Sequence, residues 1–129
     1  MVQSSQGSRV GLALFEYDFA VHGGTAGAIV IGANRLPAGA IIMDGVVHVI
    51  TAPLGTTSTI AIHVTTAGDV LAATAEASLT VGLLVDTVCD GTAATMIKVA
   101  AASGCTFTIG VNDLTAGKIV VGLRYIDTA

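Results

Sequence analysis

Formal charge is scarce in this chain. Asp, Glu, Lys and Arg make up 11% of its 129 residues, against 53% hydrophobic residues. A soluble domain ordinarily carries about 25% charged residues. A surface so poor in charge belongs either to a membrane span or to a subunit whose sides are covered by a partner. The longest stretch without a formal charge, residues 45–68, argues against a span. It holds His48, Pro53, Gly55, His63 and the cluster Thr56-Thr57-Ser58-Thr59, which would lie mid-bilayer with nothing to satisfy it. Aromatic residues are equally scarce, at 4% with no Trp, which removes the girdles of a transmembrane barrel. With no Trp and only two Tyr to stack a sugar ring, glycosidase and lectin readings both weaken.

Positive charge is sparse and scattered. Arg9, Arg35, Lys98, Lys118 and Arg124 are isolated, and the formal net charge is −4. Nucleic-acid binding needs a concentrated basic patch, so it is not expected. Two cysteines make no disulfide framework. Cys89 and Cys105 read as buried thiols acting as small hydrophobes, with a bridge between them as the lesser alternative. The start of the chain is polar, and the apolar stretch Val10 to Phe15 runs into Glu16 and Asp18. It does not read as a secretory leader, so synthesis and assembly in a cytoplasm are expected.

What the chain does have is Val, Ile and Thr, which are stiff at χ1 and suit a pleated surface. Turn residues recur at short intervals: Gly23-Gly24, Pro37-Ala38-Gly39, Pro53 with Gly55, Ala67-Gly68-Asp69, Asp90-Gly91, Ser103-Gly104, Asn112-Asp113 and Ala116-Gly117. Short strands between regular turns predict a sandwich or barrel. Strands are predicted over residues 10–21, 28–32, 40–51, 59–66, 81–89, 95–101, 105–111 and 118–126. In the first, Ala13, Phe15, Tyr17 and Phe19 alternate with Leu12, Leu14, Glu16 and Asp18. The stretch 40–51 is apolar on both faces, as in a strand covered by two layers. Residues 69–78 are Ala-rich and read as a helical turn or two, or a crossing loop. About eight strands is the jelly-roll number. The expected organisation is an all-β, jelly-roll-like sandwich over residues 10–129, preceded by a short N-terminal arm, residues 1–9.

Residues that could carry chemistry do not assemble into a site. A cupin-type metal centre needs His-x-His on one strand plus a Glu and a later His. His22, His48 and His63 lie in separate segments, so no metal is expected. No Gly-x-Ser-x-Gly elbow and no phosphate-binding loop occurs. Most of the carboxylates lie beside turn residues, where Asp satisfies local backbone. No catalytic or cofactor-binding residue is therefore nominated. Lys118 and Arg124 share one face of the last strand by period-two spacing. The plain reading is a solvated face; the sharper one is contact with an acidic partner.

Several runs carry a resemblance. Tyr17-Asp18-Phe19-Ala20-Val21-His22-Gly23-Gly24 leads into Ala28-Ile29-Val30-Ile31-Gly32. Leu36-Pro37-Ala38-Gly39-Ala40-Ile41-Ile42 and Val46-Val47-His48-Val49 follow. Leu114-Thr115-Ala116-Gly117-Lys118 precedes a closing strand that ends Arg124-Tyr125-Ile126. From about Tyr17 onward the chain resembles the head decoration, or cement, proteins of tailed bacteriophages and related head-fibre bases. The resemblance implies a β-sandwich that binds the outside of a capsid, often as a trimer, with the major capsid protein as partner and no catalytic residues. It implies a virion protein without cofactor. The interface residues expected on this reading are Gln3, Gln6 and Arg9 in the arm and Lys118 and Arg124 on the last strand. The alternatives are another virion module, in the tail or fibre and binding a receptor or glycan, and a cupin-type small-molecule binder.

Overall fold

The computed structural model describes residues 10–127. The chain forms nine strands: β1 (Val10–Asp18), β2 (Gly27–Leu36), β3 (Ile41–Gly55), β4 (Thr59–His63), β5 (Leu71–Ala75), β6 (Leu84–Asp90), β7 (Ile97–Lys98), β8 (Ser103–Gly110) and β9 (Leu114–Ile126). One helical turn, α1 (Phe19–His22), follows β1. Two antiparallel sheets result. One has the order β1-β9-β3-β6 with β7 added beside β3, the other β2-β8-β4-β5.

The pairing shows how the chain is rolled. The first strand pairs with the last, β2 with β8, β3 with β6, and β4 with β5. The whole chain is one long antiparallel ribbon wound into two facing sheets, which is a jelly roll. β7 is a short addition in the return from β6 to β8.

Alternation decides what each sheet buries. In β1, Ala13, Phe15 and Tyr17 point inward, while Leu12, Leu14 and Glu16 point outward. Ile119, Val121 and Leu123 of β9 and Val47 and Val49 of β3 join the same interior. Ile60 and Ile62 of β4 and Phe107 and Ile109 of β8 face them from the second sheet. Tyr17 and Phe107 stack across the two sheets with centroids 5.8 Å apart. The Tyr17 hydroxyl donates to the Gly23 carbonyl at 2.6 Å, so the buried ring keeps a partner for its polar end. Burial, and then the negative charge of Asp18, raises the Tyr17 pKa above the ordinary tyrosine value.

Several elements differ from the sequence-based expectation, β3 and β9 running longer and β4 shorter than predicted. The first strand stops at Asp18 rather than Val21, because the Asp18 carboxylate accepts the Ala20 N–H and caps a helical turn. Gly23, at φ +76°, closes that turn with its N–H on the Phe19 carbonyl. Residues 28–32 expand to the ten-residue β2. The Ala-rich stretch contains β5 and then a 3-10 turn at Glu76–Ser78. Alanine hides the period-two signal there, and β5 is an edge strand with little to bury. Predicted strand 95–101 contracts to Ile97–Lys98. The expected arm, residues 1–9, lies outside the described residues.

Loops are fixed by local polar groups. The Asp69 carboxylate accepts the N–H groups of Val64, Thr65 and Thr66 at 2.8, 3.0 and 2.8 Å. Arg35 guards an open edge: its Nη1 donates to the Leu14 carbonyl of β1, and its guanidinium lies 5.8 Å from the Phe15 ring centroid.

Cys89 and Cys105 are free thiols, both fully buried. Burial pushes the Cys105 pKa up to about 12, with further increases from Asp69 and from Cys89. The Cys89 pKa is also raised, chiefly by burial. Both shifts favour the neutral thiol in the folded state. Stability from this source is complete below about pH 9 and falls as the unfolded chain ionises first. Urea denaturation under reducing conditions at stepped pH should show unfolding free energy dropping between pH 9 and about 12. The Cys105 contribution to that slope is roughly 1.4 kcal/mol per pH unit. Cys105→Ala should lower the baseline and flatten the slope.

Candidate interface

The outer face of the first sheet carries the candidate site. Its outward positions run across register: Leu12 opposite Arg124, Leu14 opposite Gly122 and Glu16 opposite Val120 on β1 and β9. Across β9 lie Asp44, Val46 and His48 of β3, and beyond them Leu84, Asp86 and Asp90 of β6. Leu12 and Leu84 are 66% and 64% exposed, and Leu14, Val46 and Ile50 are exposed as well. This sheet has apolar residues on both sides, and none of the described residues lies over the outer one. The expectation that β3 is covered by two layers is thus corrected. Its inner residues Ile42, Val47 and Val49 are buried, but its outer face is open. The second sheet contrasts with it, having Thr59, Ala61, Thr106 and Thr108 at its outward positions, all partly buried.

The apolar face is not flat. A concavity of about 500 Å³ lies between β1 and β6, lined by Leu12, Leu14, Val46 and Gly122, with Asp44, Asp86, Asp90 and Arg124 among its polar residues. Two glycines form its floor. A Cβ on Gly122 would come within 3.3 Å of Leu14 Cδ2, and one on Gly45 would strike the Gly122 carbonyl at 2.3 Å. Opposite Gly45 the β3–β6 register shifts between Asp44 and Val46, which draws β6 away and opens the trough.

The charges on this face are largely neutralised within the chain. Arg124 clasps Asp44 with both ends of its guanidinium, Nε to Oδ1 at 3.0 Å and Nη2 to Oδ2 at 2.7 Å. Lys118 lies 3.8 Å from Glu16. The Asp90 carboxylate accepts from Thr92 and Thr95, and those hydrogen bonds hold its pKa below the ordinary value. What remains is an apolar trough rimmed by closed ion pairs and the Asp86 carboxylate.

Lys118 and Arg124 therefore share one face, as their spacing predicts, and each is engaged by a carboxylate of its own chain. Gln3, Gln6 and Arg9 lie outside the described residues. His48 faces out from the first sheet, His63 from the second, and His22 belongs to α1, where its Nδ1 accepts the Asp18 N–H at 3.1 Å. Among the described residues no group of three or more His, Cys, Asp and Glu is placed to hold a metal. None of their helices is long and apolar enough to cross a membrane. The sequence reading does not single out the residues that make the trough, Leu12, Leu14, Val46 and Gly122. The signal was present: Leu12 and Leu14 alternate in phase with Glu16, which marks an outward face that is nonetheless apolar.

The described residues thus form a jelly roll that leaves the apolar outer face of one sheet open. No protein-family model and no curated protein matches this sequence. Solved structures share its fold. A chain of the acid-stable capsid of the Helicobacter pylori bacteriophage KHP30 superposes with a TM-score of 0.63 at 17% identity, covering 93% of this chain and 89% of that one. A chain of the capsid of Ralstonia phage GP4 gives 0.64 at 17% identity, covering 93% and 85%. A chain of the capsid of cyanophage Pam1 gives 0.60 at 20% identity, covering 92% and 84%.

The Arg124–Asp44 pair is exposed, so it contributes little to folding. A double-mutant cycle with Arg124→Ala and Asp44→Ala should return a coupling below about 1 kcal/mol by urea denaturation. A larger coupling would assign the pair a structural role instead.

Proposed function

We propose that the protein is a structural, non-enzymatic virion component that binds the outer surface of a bacteriophage capsid and stabilises it. The observation that carries this reading is the uncovered apolar face on a fold shared with chains of phage capsids. A face of this kind is stable in water only at a cost, and association removes that cost at about 25 cal/mol per Å² of apolar surface covered. The partner on this reading is the major capsid protein, and the protein lies on the capsid surface after synthesis in the host cytoplasm. Residues 10–129 act as one unit, and Gln3, Gln6 and Arg9 extend its contact with the shell.

The apolar face fits a second copy of the same chain, giving a homo-oligomer with a trimer as the expected form. Leucine ridges and a glycine-floored trough are separate patches on it, so the ridge of one copy can enter the trough of the next, the head-to-tail contact that closes a three-fold ring. The internal ion pairs let one copy pack on the next with little like-charge repulsion. Decoration stabilises a shell because a ligand that binds only the assembled state shifts its equilibrium by mass action. Repetition over a shell multiplies modest affinities.

Light scattering on the eluting protein at low micromolar concentration should give a trimer mass. Leu14→Asp and Leu84→Asp should both reduce it to a monomer, with stability changed by less than about 1 kcal/mol because both side chains are exposed. Expanded shells should then co-sediment the wild-type protein. A wild-type monomer that ignores every form of its cognate shell would sink the proposal. Binding to a glycan, without shell affinity, would move the protein to the tail or fibre.

A further inference from the structure

The turn between β8 and β9 is built against the preference of its own central residue. Val111 has φ +71°, and the Asn112 N–H reaches back to the Gly110 carbonyl at 2.9 Å. That bond closes a three-residue γ-turn in its rare, strained hand. Asn or Gly tolerates positive φ, whereas a β-branched residue there is a genuine outlier. Packing does not explain the choice, because Val111 is 71% exposed.

Three loops hold it in place. The Asn112 side-chain amide donates to the Thr56 carbonyl, and the Ser58 hydroxyl donates to the Asn112 carbonyl at 2.8 Å. The Ala26 N–H donates to Asp113 Oδ1 at 2.8 Å, and the Leu114 N–H to the Gly24 carbonyl at 2.7 Å. The loops after α1, after β3 and after β8 are thereby stitched into one scaffold. Val21 and Leu54, both exposed, rise from the same end of the sandwich. The only Asp, Glu, Lys or Arg in these loops is Asp113, whose carboxylate is already occupied by Ala26.

We propose that this end of the sandwich is the shell-contacting end, with Val111 inserted as an apolar anchor into an uncharged recess of a capsid protein. The inference rests on the capsid-binding reading above and names the surface that performs it. Strain held by a surrounding network at an exposed side chain is the pattern of a pre-organised contact: the side chain is fixed before binding, so little ordering entropy is lost on docking. The three loops that hold Val111 carry one charged side chain, Asp113, already engaged by Ala26, which matches a recess that is apolar where Val111 enters. A lipid surface fits less well, since no Lys or Arg flanks the apolar group to engage headgroups. The copy-to-copy contact already has the larger trough on the sheet face.

The test compares wild type with Val111→Gly and Val111→Asp, titrated against expanded shells stripped of the protein, with co-sedimentation, native mass and thermal melting as readouts. Val111→Gly relieves the positive φ, so its melting temperature should rise by a few degrees while shell affinity falls about tenfold. Val111→Asp should abolish shell binding, and both variants should keep the wild-type native mass. A merely structural residue would not separate stability from binding in this way. Variants that bind shells within about twofold of wild type overturn the inference while leaving capsid binding intact. So does a fall in native mass with shell binding retained, which would make the occupant a second copy. Wild-type binding to phosphatidylcholine vesicles that Val111→Asp abolishes would make it lipid and overturn the inference as well. Wild-type protein that binds no shell removes the capsid reading itself.

Discussion

The register between β1 and β9 is the constraint from which the rest of the molecule follows. Nine residues of each strand pair without interruption, from Val10 opposite Ile126 to Asp18 opposite Lys118. A slip of one residue would turn Phe15 and Tyr17 outward and bury Leu14 and Glu16 in their place. Two features hold the register. Tyr17 is locked from inside by its stack on Phe107 and its bond to Gly23, and the strand ends abruptly at the Asp18 cap. Because β9 also pairs with β3, the same register sets the position of Val46 and His48, and through β3 that of β6. The trough on the outer face is therefore a consequence of core packing on the inner one. Its residues are placed by partners they do not touch.

How much of this was legible from residues alone depends on how strongly each segment alternates. β1, β4, β8 and β9 have large inward residues every second position, and their existence follows from that period. β5 did not announce itself, because Leu71-Ala72-Ala73-Thr74-Ala75 carries one large side chain and alanine suits helix as well as strand. The end of β1 was misplaced by three residues because Phe19 continues the period, whereas the chain obeys the Asp18 cap and Gly23. The interface was the hardest part to read. An apolar run such as 40–51 looks the same whether its outer face is covered by protein or left open for a partner, and only the arrangement of layers separates the two. Lys118 and Arg124 were visible as a pair, but Glu16 and Asp44, which neutralise them, lie 102 and 80 residues away in sequence and are brought in by the sheet.

The electrostatic arrangement and the apolar surface belong to one solution. A charge-poor chain must remain folded and soluble long enough to find its partners. Here the cations Lys118 and Arg124 on the apolar outer face are spent on internal carboxylates, leaving a surface with little unpaired charge. Such pairs add little to folding. Their value lies in what they remove, since an unpaired Arg124 or Lys118 would have to be desolvated when the face is covered. The guard placed by Arg35 over the edge of β1 works in the same direction. It occupies a carbonyl at the sheet edge and so works against strand-to-strand addition there.

A jelly roll offers two kinds of surface, its sheet faces and its loop ends, and this chain has made them chemically different. The face is broad, grooved and tolerant, with several leucines and valines contributing in parallel, so that no single side chain decides the contact. The loop end is narrow and specified, because one valine in an unfavourable backbone conformation is fixed by hydrogen bonds from three loops. Broad apolar contacts suit neighbours of identical sequence, where symmetry repeats the match. A rigid point suits a partner of different sequence, where position must be defined before contact. Glycine would relieve the backbone at this position, and Val111 packs against almost nothing in the folded chain, so the conformation is held by the surrounding hydrogen bonds and not by packing.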